Sequence, residues 1–207
     1  MADEQLRQQH WNSVYARKSE TEFSWYQASP EPSLGLIVKY GGPNASVIDI
    51  GGGTSNLIDG LLDQGFRDLT VLDLSAAALD AVKARLGDKG RVVTWLVDDA
   101  TTWHPTRTYD IWHDRAAFHF LVEDTDRIAY VERLKRAVAV GGHVIIATFS
   151  PDGPDKCSGL PVMRHDADSL RRTFGPAFSC LGAQLQLHAT PWGASQAFQF
   201  SVFQRVR

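Results

Sequence analysis

The sequence predicts an α/β fold, a doubly wound and mostly parallel sheet of seven strands that ends in an antiparallel hairpin. Three observations carry that expectation. From Ser33 onward, short apolar strands alternate with amphipathic helical stretches across short connectors, the pattern of βα units with right-handed crossovers. The stretch Val47-Ile48-Asp49-Ile50-Gly51-Gly52-Gly53-Thr54-Ser55 reads as a buried strand, a tight turn and the N-terminus of a helix. Near the C-terminus, Leu181, Ala183, Leu185 and Leu187 alternate with polar residues, and so do Phe198, Phe200 and Val202. The connector between these runs, His188 to Gly193, is short enough for a hairpin.

The elements follow in order. Residues 3–18 are helix-like, with Leu6, Trp11, Val14 and Tyr15 on a ragged apolar face, and lead into the aromatic segment Phe23-Ser24-Trp25-Tyr26. These aromatics serve either to pack the helix or to form a lid over a ligand. A helix at 33–40 precedes the first strand at 46–50. Leu57, Ile58, Leu61 and Leu62 form a helical stripe that ends at Gly65. The second strand, 69–74, passes through Ser75, an N-cap, into a helix carrying Leu79, Val82 and Leu86. Strands at 91–97 and 109–113 follow. The next helix carries Ile128, Val131, Leu134 and Val138 and is expected to stop at Gly141-Gly142, before a fifth strand at 143–149. A loop at 150–165 and a short helix at 166–174 lead to the hairpin. The division expected is an N-terminal helix and aromatic lid segment at 1–32 and a single domain at 33–207.

The glycine loop specifies ligand chemistry. Glycines admit a ligand close to the backbone, and the first helical N–H groups point at the same place. Asp49 stands two residues before Gly51, where a carboxylate suits an ammonium group and opposes a phosphate. The dinucleotide fingerprint fails, because its third glycine falls at Asn56. Asp73, closing the second strand before Leu74, lies at the distance where α/β nucleotide sites place a carboxylate on ribose hydroxyls. A ribose, an amino-acid ammonium and no phosphate together describe S-adenosylmethionine.

Asp49 to Ser55 resembles the first motif of class I methyltransferases, usually D-x-G-x-G-x-G, with Ser55 in place of the last glycine. Val138 to Ile146 resembles that family's L-K-P-G-G-x-L stretch. The resemblance implies a Rossmann-like methyltransferase, with N-terminal helices that cover the cofactor and bring Trp25 to it. It implies that Asp49, Gly51, Gly52, Gly53, Ser55 and Asn56 hold the methionyl part, and that Asp73 and Leu74 meet the ribose. Asp99 and the Ala100 backbone then read the adenine, with Asp98 as the competing acid. The fourth strand tip, Trp112-His113-Asp114-Arg115-Ala116-Ala117-Phe118-His119-Phe120, resembles with substitutions the D-K-G-T-x-D-A stretch of lysine methyltransferases acting on elongation factor 1-alpha or citrate synthase. Bacterial small methyltransferases of unassigned substrate are the nearer likeness. His113, Asp114, Arg115 and His119 are the catalytic candidates. His113 also faces the cofactor, and His119 is the expected general base.

Composition bounds the rest. The 207 residues suit one domain, with 43 % hydrophobic and 22 % charged residues and a net charge of −3. No basic run, secretory signal or membrane-length apolar run is present, so neither nucleic acid nor membrane is the expected partner. Cys157 and Cys180 are expected as free thiols in a cytoplasmic protein, and no metal site is expected. The expected activity is methyl transfer to a small-molecule acceptor. A protein-lysine acceptor, a nicotinamide oxidoreductase and a cofactor-binding module without turnover are the alternatives.

Overall fold

The computed structural model describes residues 2–17 and 19–207; Met1 and Lys18, both within the expected N-terminal segment, lie outside it. Helices α1 (Ala2–Arg17) and α2 (Ser33–Tyr40) lead into β1 (Val47–Ile50), α3 (Leu57–Asp63), β2 (Leu69–Asp73), α4 (Ala76–Leu86) and β3 (Val93–Val97). Then come β4 (Tyr109–Arg115), α5 (Asp124–Ala137), β5 (Val138–Phe149), α6 (Ala167–Phe174), β6 (Phe178–Ala189) and β7 (Ser195–Arg205). A small ribbon pairs Lys156–Cys157 with Leu160–Pro161.

The seven strands run β3-β2-β1-β4-β5-β7-β6, with β1 to β5 parallel and β7 antiparallel to both its neighbours. Chain order reverses between β1 and β4, so a crevice opens beyond their carboxyl ends, where such sheets bind ligands. The inner strands are buried on both faces. Helices α2, α3 and α4 cover one through Ile37, Leu61 and Leu79. Helices α5 and α6 cover the other through Tyr130, Leu134 and Phe174. Ser75 does cap α4, its hydroxyl accepting from the Ala78 N–H at 3.2 Å.

Four local expectations are corrected. Helix α5 ends at Ala137, and β5 already begins at Val138. Gly141-Gly142 instead carries an excursion of the strand: Gly141 has φ +87°, and a Cβ on Gly142 would stand 2.9 Å from the carbonyls of Ala139 and Asp110. On α5, Ile128 is exposed while Arg127 and Tyr130 turn inward, because the buried stripe is rotated by one residue. Leu6 of α1 faces out. On β6 the leucine row is the outer one, with Leu185 67 % and Leu187 70 % exposed. As the edge strand, β6 has its leucine-bearing face uncovered by any helix, so alternation identified the strand but not which face was inside.

Candidate active site

A partly enclosed cavity lies beyond the tips of β1, β2, β3 and β4, where open α/β sheets bind their ligands. Gly51, at the start of the glycine loop, lines it. Gly51 and Gly53 have φ +64° and +52°, and a Cβ on Gly51 would stand 2.6 Å from that of Ala117. Only glycine meets both demands there. Arg85 secures the loop from below, donating to the carbonyls of Thr54 and Ser55 at 3.1 and 2.8 Å, and is itself held by Asp59 and Glu20.

Asp73 lies on the cavity wall, buried, and accepts the backbone N–H groups of Gly53 and Ser75 at 2.8 and 2.7 Å. Burial raises its pKa to about 6, against the lowering effect of those two bonds. Leu72, Leu74, Ala100 and Leu121 supply apolar walls suited to a flat base. Both acids of the next tip line the cavity. Asp99 accepts from the Thr101 N–H and hydroxyl and from Arg7 at 2.7 Å, while Asp98 accepts from the Asp99 N–H.

A narrower, more polar pocket continues from the same loop, sharing Gly51, Arg115 and Trp25 with the cavity. Asp49, Gly52, Ser55 and Asn56 line it. Asp49 is already engaged: His113 Nδ1 donates to its Oδ1 at 2.6 Å, and His113 Nε2 lies 2.8 Å from Ser33 Oγ. Its Oδ2 lies over Gly52, where a Cβ would meet it at 2.8 Å. Asn56 donates to the Gln27 carbonyl at 2.9 Å, tying the aromatic segment to the loop. This donor set fits S-adenosylmethionine: an acid for ribose hydroxyls, acids for an exocyclic amine, and carboxylate beside a guanidinium for an amino-acid end.

The expected catalytic residues fare differently. Arg115 reaches both pockets, donates to the Trp25 carbonyl at 3.0 Å and stacks over Phe198 at 4.8 Å; burial lowers its pKa to about 10, which leaves it charged. His113 lines the polar pocket, with both ring nitrogens engaged in joining β4 to β1 and α2. Asp114 caps the turn that follows β4. Fully buried, it accepts from the Ala117 and Phe118 N–H groups and from Tyr130 Oη at 2.6 Å, and burial raises its pKa to about 6. It holds the turn in which Ala116 has φ +70°, a conformation natural to the glycine that the related motif carries there. His119, the expected general base, is a fully buried side chain. It lies against Phe120 and Phe149, Nδ1 accepts the Phe149 N–H at 3.4 Å, and the ring borders neither pocket.

Sequence reasoning expected a cover from the N-terminal segment but named only Trp25 of it as a site residue. Arg7, Trp11 and Tyr15 all line the cavity. Their spacing of four residues, which places them on one helix face, was the available signal. Arg7 pairs with Asp99 and Asp126, and Ser75 donates to Asn12 at 2.7 Å. Tyr15 packs onto Gly53 and stacks edge-on to Phe23 and Trp25.

Comparisons with known proteins agree with this geometry. Residues 47–142 match the family described as a methyltransferase domain. The mouse eEF1A lysine and N-terminal methyltransferase is 26 % identical over 137 residues, 66 % of this chain and 19 % of that protein. The chain thus spans about a fifth of the length of that relative. Among solved structures, one described under conversion of a disulfide bond into a thioacetal group during echinomycin biosynthesis superposes with a TM-score of 0.77 at 22 % identity, covering 96 % of this chain and 92 % of that one. A Burkholderia thailandensis 1,6-didemethyltoxoflavin-N1-methyltransferase, with its substrate and S-adenosylhomocysteine bound, gives 0.68 at 16 % identity, covering 100 % and 87 %.

Proposed function

We infer that this chain, which carries a methyltransferase domain of the seven-stranded, S-adenosylmethionine-dependent class, transfers a methyl group from that cofactor to a small-molecule acceptor. The observation that carries the reading is the roofed cavity. Asp73 and Asp99 stand at two strand tips on its wall, Gly51 of the glycine loop borders it, and α1 closes it with Arg7, Trp11 and Tyr15. When bound, the cofactor supplies a sulfonium methyl that an acceptor lone pair attacks in line. The chain's own part is alignment and exclusion of water. Asp73 would hold the ribose, Asp98 and Asp99 the adenine, and Asp49, Asn56 and Arg115 the amino-acid end. Trp11, Trp25 and Tyr15 offer aromatic faces to a positive charge.

A small acceptor is favoured over a protein lysine because α1 and the aromatic segment narrow the approach to the cavity. Residues 1–32 act here as a lid, its latch being Arg7 on Asp99. The supporting likeness is the toxoflavin-precursor enzyme, whose acceptor is a small molecule; the eEF1A relatives support the lysine alternative. Labelled methyl transfer from S-adenosylmethionine into separated small-molecule and protein fractions of a cell extract tests the reading. Label in the small-molecule fraction is expected. Label in protein alone favours the lysine alternative, and no label in either favours a binding module.

A further inference from the structure

A second cleft, open to solvent, is lined in part by the aromatic segment through Phe23, Ser24 and Trp25. It is assembled from α1, the ribbon after β5 and the β6–β7 turn. Trp25 and Cys157 line both this cleft and the cofactor cavity, so the two spaces meet at a shared wall.

Three features of the cleft are unspent within the fold. First, His10 Nε2 and Gln196 Oε1 are buried and without a hydrogen-bond partner among the described residues, and both residues line the cleft. Buried polar atoms are ordinarily satisfied, so a pair of orphans in one wall points to a ligand with matching groups. Second, its charged lining residues are Arg17 and Lys156; neither makes an ion pair among the described residues, and no Asp or Glu lines the cleft. Third, Trp192 at the turn is 60 % exposed, offering a broad flat surface at the rim.

We propose that this cleft is the acceptor site and that it selects a planar aromatic molecule bearing an anionic group. The ring lies against Trp192, the anion faces Arg17 and Lys156, and His10 with Gln196 meets its polar edge. Two unpaired cations with no counter-charge oppose a lysine ammonium at the same place. The proposal rests on the reading of the adjoining cavity as the methyl-donor site.

The test uses two probes of one ring and opposite charge, 2-naphthoate and 2-naphthylmethylammonium, titrated into the full chain with S-adenosylhomocysteine present. Calorimetry is expected to give at least tenfold tighter binding of naphthoate. The double variant Arg17→Glu/Lys156→Glu, at exposed positions, is expected to lose that preference. Trp192→Ala is expected to weaken both probes, and all variants are expected to keep S-adenosylhomocysteine affinity within threefold. Equal binding of the two probes, a preference for the cation, or a preference unchanged in the double variant overturns the assignment. Naphthoate binding with no affinity for S-adenosylhomocysteine, measured alone, overturns the donor reading and with it the acceptor role, leaving only an anion cleft.

Discussion

Between Val47 and Ala117 the residues that shape the cofactor cavity arrive as strand tips, each acid placed by the strand that carries it. Asp49 closes on β1, Asp73 ends β2, and Asp99 follows β3 by two residues. The adjoining cleft draws instead on residues 10–17, 23–25, 156–158 and 192–196, four segments far apart in the chain. The first region is dense in bonds between acid and backbone N–H, as Asp73 and Asp114 illustrate. The second leaves polar atoms unmet. A region whose hydrogen bonds close on the backbone is built to one shape, whereas a region with spare donors and acceptors has its complement outside the fold.

Breaking the first region gives the largest expected effect. Asp73→Ala removes the carboxylate proposed for the ribose hydroxyls and should weaken S-adenosylhomocysteine binding by about 1.5–3 kcal/mol, the worth of hydrogen bonds to a charged group. That is a loss of roughly ten- to 150-fold. Calorimetry on the folded variant decides it, with Asp73→Asn as a control that keeps one acceptor for the two N–H groups. Affinity within threefold of the parent would take Asp73 out of the site.

The same contrast explains what the sequence made legible. The alternating strands and helices, the Ser75 cap and the acids at the strand tips follow from local pattern, because a glycine turn after a buried strand has few three-dimensional solutions. Arg85 was not legible: its grip on the glycine loop crosses 30 residues of chain, and nothing in its own neighbourhood marks it. The partners of the fourth tip were not legible for a related reason. Asp114 and His113 have the residue types of a catalytic pair, yet partners distant in sequence, Tyr130 and Asp49, absorb them into the framework. The β6 leucines failed differently, since period-two alternation gives two faces and only the neighbours say which is covered.

The roof joins the two regions, and loosening it should have a smaller effect. Arg7 is partly exposed and bridges α1 to Asp99 and Asp126 across 92 and 119 residues. Such pairs contribute about 0.2–1 kcal/mol each. Arg7→Ala should therefore speed release of S-adenosylhomocysteine by about three- to fivefold, measured by stopped-flow displacement, with thermal stability little changed. Release at the parent rate would make α1 a packing element and no lid.

The smallest expected effect on the site belongs to His119, which borders neither pocket. His119→Leu should leave S-adenosylhomocysteine affinity within threefold at neutral pH. Its signature lies in acid stability. Burial, with the charges of His165 and Arg115 adding to it, lowers the His119 pKa to about 3, and burial with Arg127 lowers that of His165 to about 4. Both fall below the unfolded imidazole value of about 6.5, so the unfolded chain takes up these protons first. Their contribution to stability is full above about pH 6.5 and is lost as pH falls toward the folded values. Asp73 and Asp114, raised to about 6, act with the opposite sign: the folded chain binds their protons first, and stability rises as pH falls from about 7 toward 4. Between pH 6.5 and 4 the two pairs offset each other. Leucine at 119 removes one histidine contribution and leaves the Phe149 N–H unpaired, at a cost of about 1–3 kcal/mol that does not vary with pH. The variant should thus be less stable at pH 7 yet lose less than the parent on acidification, by up to about 1.4 kcal/mol per pH unit. Urea unfolding at pH 7, 5.5 and 4.5 measures the two slopes. Parallel slopes would mean that the ring is hydrated or charged in the fold, and a loss of turnover at neutral pH would return His119 to the acceptor side of the site.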